Sequence, residues 1–259
     1  MADKSKTQRP SVPTFGGGNR PVTPHAEEQT APADLPSSAE DVAAFIAAVK
    51  ARAPVDTGAR GRLMFAMDAT MSRQPTWDMA LQLQSDMFAT VRQVGGLDVQ
   101  LVYFRGAGEC RASKWVSDPA SLARLMTTVS CAGGYTQIAK VLSHARQEAE
   151  RRRVSAVVYV GDCMEEDVDD LCGRAGELAL LGVPMFLFQE GHDMAAERAF
   201  REIARLTKGA FCRFDVGAAA QLRELLTAVA VYAAGGRKAL EALSERQAGG
   251  ARLLLEQMR

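Results

Sequence analysis

Long apolar runs are missing from this sequence. No stretch approaches the ~20 residues that crossing a bilayer requires, so a membrane span is not expected. An excess of one charge is missing as well: 31 basic residues face 31 acidic ones. Without a basic surplus to neutralise phosphates, nucleic acid is not the expected partner. Histidines number three, and none of the five cysteines (Cys110, Cys131, Cys163, Cys172, Cys212) forms a Cys-x-x-Cys pair. Reduced, mostly buried thiols are the expectation. Phosphate-cradling glycine patterns are absent too, since Gly106-Ala107-Gly108 lacks a third glycine and a following helix. The opening MADKSKTQRPS has no apolar core of the secretory kind, which makes a cytoplasmic location the expectation.

What is present is ordinary globular material. The 259 residues are 47% hydrophobic and 24% charged, enough for one large domain or two small ones. Residues 1–36 collect prolines, threonines and Gly16-Gly17-Gly18 with few large apolar groups, and read as a disordered tail. Ser37 and Glu40 make a capping box ahead of Val42, Phe45, Ile46 and Val49, which predicts a short amphipathic helix over 37–53. From residue 60 to about 232 the pattern alternates. Strands are predicted at 63–67, 97–104, 110–116, 154–160, 183–188 and 210–214. Helices are predicted at 75–94, 119–129, 137–152, 166–181 and 194–207, and 233–259 reads as a helical extension.

Alternating strands and helices predict an α/β fold. Its Rossmann-like, doubly wound, mostly parallel sheet would have about six strands and helices on both faces. The weak strand at Cys110 follows its predecessor after a short turn and should form an antiparallel edge. Ligands of such sheets bind beyond the carboxyl ends of the strands. Asp68 and Asp162 both end apolar, strand-like runs, so both belong on that rim. Thr70 and Ser72 follow Asp68 at alternate positions, and Thr136 follows Gly133-Gly134. These five residues offer only hard oxygens, a set suited to Mg²⁺, Mn²⁺ or Ca²⁺. Taken singly, each also fits a common cap or turn.

Together they resemble the metal-ion-dependent adhesion site of the von Willebrand factor type A family. Asp68-Ala69-Thr70-Met71-Ser72 resembles the family's first motif, Gly133-Gly134-Tyr135-Thr136 its second and Gly161-Asp162 its third. The order of elements matches from about residue 60 to 230. Two positions depart: Thr70 replaces a serine, and Cys163 stands where glycine is usual. The resemblance implies that Thr70, Ser72 and Thr136 ligate a divalent cation, magnesium above all. Asp68 and Asp162 would act directly or through water. The open coordination position would take an Asp or Glu side chain of a partner protein. Bacterial cytoplasmic relatives often serve AAA+ ATPase or chaperone machines, so a component of such a machine is an implied partner.

Two other functions stay open. One is a metal-dependent hydrolase or phosphotransferase on the same fold, and the other a metal-free scaffold acting through its C-terminal helix. Cys163 beside Asp162 invites a nucleophilic reading, and His192, near the end of the fifth strand, could reach the rim, but without a placed base an inert thiol is the expectation. The acidic run Glu165, Glu166, Asp167, Asp169 and Asp170 reads first as charge at a helix N-terminus. It reads second as a source of cation attraction, or of a group filling the open metal position.

Overall fold

The structure, a computed structural model, describes residues 60–91, 96–215, 218–246 and 249–258. The tail and short helix expected over 1–53 lie outside the described residues, as do the last residues of the helix expected to run to 94. Six strands form one sheet: β1 (Gly61–Asp68), β2 (Leu97–Arg105), β3 (Glu109–Ala112), β4 (Ala156–Gly161), β5 (Met185–Glu190) and β6 (Ala210–Phe214). Their order is β3-β2-β1-β4-β5-β6, all parallel except β3, which runs antiparallel to β2 at the edge. Beyond β3 the predicted pairing continues only as an isolated bridge from Val116 to Val99.

Among the described residues, seven α-helices cover the sheet: α1 (Gln74–Val91), α2 (Pro119–Thr127), α3 (Ile138–Arg151), α4 (Val168–Leu180), α5 (Met194–Leu206), α6 (Ala219–Arg246) and α7 (Gly250–Gln257). Because side chains alternate along a strand, β1 feeds two cores. Leu63, Phe65 and Met67 pack among residues of α1, α2, α6 and α7. Met64 and Ala66 pack among residues of α3, α4 and α5. Every residue of β1 is buried, as a strand covered on both faces requires.

Three helices begin on side-chain caps or pre-set geometry. Asp118 accepts from the Ser121 N–H ahead of Pro119, Asp167 from Asp170 and Asp193 from Ala196. Helix α6 bends at Gly236, whose φ of 69° suits glycine best. The chain beyond that bend joins the same core, with Leu240 and Leu254 fully buried. No helix among the described residues is long and apolar enough to cross a membrane.

Candidate functional site

Parallel pairing sets the two aspartates side by side. Met67 pairs with Val160, so Asp68 at the end of β1 comes level with Gly161, and Asp162 follows at once. The loop before α3 reaches this edge through backbone bonds. Ala132 N donates to Ala69 O at 3.0 Å, and Tyr135 N donates to Gly106 O at 3.2 Å. Gly134 is what permits the approach, since a β-carbon there would sit 2.2 Å from the Gly106 nitrogen.

Asp68 is 1% exposed. Its Oδ1 accepts from the Thr70 N–H at 2.7 Å, while Oδ2 is buried with no hydrogen-bond partner. Burial pushes its carboxyl up to about 6, and the charge of Asp162 adds to the effect against the opposing Thr70 and Arg73. The Ser72 hydroxyl donates to Asp162 Oδ2 at 3.0 Å and lies 3.3 Å from the Thr70 hydroxyl. Asp162 Oδ1, like Asp68 Oδ2, is buried and unpartnered. Four of the five residues singled out in the sequence therefore form one hydrogen-bonded string.

The fifth, Thr136, bonds elsewhere. Its N–H and hydroxyl both donate to Glu165 Oε2, at 3.0 and 2.8 Å, and the Glu165 N–H lies 3.2 Å from the same hydroxyl. The acidic run after Asp162 thus divides its labour. Asp167 caps its own helix, α4. Glu166 accepts from the Ile138 and Ala139 N–H groups at 2.5 and 2.9 Å, capping the neighbouring helix α3. Glu165 sits on Thr136.

Two further groups were not singled out from sequence. Arg73, buried behind Ser72, places Nε 3.4 Å from Asp162 Oδ2 and pairs through its guanidinium with Glu190. Glu190 ends β5, is 2% exposed, and also accepts from the Thr76 hydroxyl. The available signal was a third acidic residue closing a buried apolar strand, FLFQE.

Two buried carboxylate oxygens without partners, beside two hydroxyls, suit a divalent cation, which supplies the missing positive charge. Asp68, Thr70, Ser72 and Asp162 would hold it, whereas Thr136 is engaged by Glu165. The ligand atoms of Asp68, Asp162 and Cys163 all lie within 4.8 Å of one another.

No protein-family profile matches the sequence, and no curated protein matches it. Solved structures do. The von Willebrand factor type A protein from Catenulispora acidiphila superposes with a TM-score of 0.54 at 14% identity, over 68% of this chain and 43% of that one. The SpRpn10 VWA domain gives 0.52 at 12% identity, over 66% of this chain and 95% of that domain. Proximal thread matrix protein 1 from the mussel byssus, with a zinc-occupied MIDAS motif, gives 0.52 at 18%, over 68% of this chain and 46% of that one. At these identities what is shared is the fold. The match spans less than half the length of the Catenulispora and byssus proteins.

Proposed function

We propose that this chain, which has the von Willebrand factor type A fold, is a metal-dependent protein-interaction module. Its cation, held at the carboxyl edge of the sheet, grips an Asp or Glu side chain of a partner. One observation carries the reading: Asp68 and Asp162 bring carboxylate ligand atoms within 4.8 Å of each other, and each has a buried oxygen, Asp68 Oδ2 and Asp162 Oδ1, without a hydrogen-bond partner. By their oxygens alone these residues favour magnesium, with manganese or calcium able to substitute.

The surroundings favour a protein as the other party. Six large apolar side chains are exposed among the described residues, and four of them stand at this edge. Met71 lies between Thr70 and Ser72, Tyr135 precedes Thr136, and Val168 and Met194 open helices α4 and α5. Exposed apolar groups at the same edge as a charged centre are the composition of a protein-docking patch. The partner proposed is a component of a bacterial cytoplasmic complex of the AAA+ ATPase or chaperone kind, on the strength of the sequence resemblance.

Catalysis has less support. Burial and the adjacent Asp162 push the Cys163 thiol above its ordinary range, which disfavours a thiolate nucleophile. His144 is bonded to Gln100 and His192 to Arg213. The metal-free scaffold reading also loses ground, because α6 and α7 turn Leu240, Ala251 and Leu254 inward.

Calorimetric titration of Mg²⁺ and Mn²⁺ into wild type and Asp68→Ala tests the module. Binding by wild type alone is expected, together with EDTA-sensitive retention of a carboxylate-bearing partner. A wild type indifferent to both ions overturns it, and phosphate-ester turnover lost with Asp68→Ala would favour the enzyme.

A further inference from the structure

We propose that Cys163 is a further ligand of this cation site, and that its sulfur shifts the site's preference from magnesium toward zinc and zinc-like ions. The ligand assignment presupposes the cation proposed above and names its chemistry more narrowly.

Among the described residues, Asp68, Asp162 and Cys163 are the one group of three whose carboxylate and sulfur ligand atoms converge within 4.8 Å. Two of the three bring a buried oxygen that has no partner in the protein. Outside that group, the thiol's hydrogen-bond contact is a long one, 3.9 Å to Glu165 Oε1. Zinc bonds to oxygen and sulfur of about 2.0–2.3 Å put tetrahedral ligand atoms roughly 3.5 Å apart, so a contraction of about 1 Å completes three ligands. A fourth position then stays open toward solvent, which is where the partner's carboxylate would enter. A soft sulfur donor adds little for magnesium and much for zinc or cobalt.

Ligation needs the thiolate, so each bound zinc displaces the Cys163 proton to solvent.

The test uses the reduced full-length chain, as wild type, Cys163→Ser and Asp68→Asn, titrated separately with Mg²⁺, Zn²⁺ and Co²⁺. Zinc outranking magnesium is not diagnostic alone, because most nitrogen, oxygen or sulfur sites show it. The diagnostic readouts are the near-ultraviolet thiolate-to-cobalt charge-transfer band and the ratio of zinc to magnesium affinity. Wild type should show the band. Cys163→Ser should lose it, keep its magnesium affinity and lower the zinc-to-magnesium ratio by about 10–100-fold. Asp68→Asn should weaken all three ions. A cobalt complex without the band, or an unchanged ratio in Cys163→Ser, overturns the sulfur ligand while leaving the interaction module standing. Failure of all three ions to bind wild type overturns both.

Discussion

At the scale of single residues, the site stores charge that folding has not neutralised. Arg73 is the internal counterweight: 5% exposed, it faces Asp162 on one side and Glu190 on the other. Replacing it with methionine keeps the volume and strands a buried Glu190. Loss of one partner from a buried pair costs about 3–5 kcal/mol. Arg73→Met should therefore melt well below wild type, and Arg73→Met with Glu190→Gln should recover much of the loss in the same thermal assay. His144 behaves differently. Its Nε2 lies 3.1 Å from Gln100 Oε1, with the Gln100 amide oriented by its own bond to Ser113 O. Burial lowers its pKa, against Glu148 and with Arg151. The unfolded chain thus takes up this proton first as pH falls below about 6.5, and stability drops on acidification. His144→Gln should flatten the decline in melting temperature between pH 7 and pH 5. A decline as steep as that of wild type would assign it to other groups.

At the scale of elements, the loops matter more than the helices they join. Gly134 lets the Thr136 loop lie on the Gly106 turn, and Gly134→Ala would press a methyl group into backbone. The sheet does not depend on that contact, so the variant should fold with a near-wild-type circular dichroism spectrum. Its cation affinity, measured by calorimetry, should fall about 10–100-fold, the cost usual for support around a metal site. Elements were also the most legible level of the sequence. Asp68 and Asp162 could be placed on one edge because each closes a run of apolar residues, and parallel strands share a carboxyl end. The antiparallel edge strand was legible from its short turn. Glu165 on Thr136, Glu166 on α3 and Arg73 between two carboxylates were not legible. Each joins residues from 27 to 117 positions apart in sequence through side-chain rotamers. Composition and periodicity carry no record of such pairings. The acidic run read as one helix cap because, along the chain, its members differ only by position.

For the whole molecule, the C-terminal chain is part of the fold's closure. Gln257 both donates to and accepts from Phe211 of β6, at 2.8 Å each way, so a side chain stands in for a missing neighbour strand. Unpaired strand edges invite association between chains. Ending the chain after Gly236 removes Leu240 and Leu254, fully buried leucines whose burial contributes about 1.5–3 kcal/mol each. It also uncovers β6. The truncated form should melt lower and enlarge with concentration in light scattering, whereas Gln257→Ala should show a milder version of the second effect alone. A truncated chain that stays monomeric and melts like wild type would show the segment to be dispensable.

The consecutive acids 165 and 166 grip two different things, a threonine's hydroxyl and a helix's first amides. Whatever pulls one of them tugs its neighbour. An arrival that drew Glu165 off Thr136 would strain the cap on α3 next door, a link between the sheet's edge and a neighbouring helix that needs no hinge.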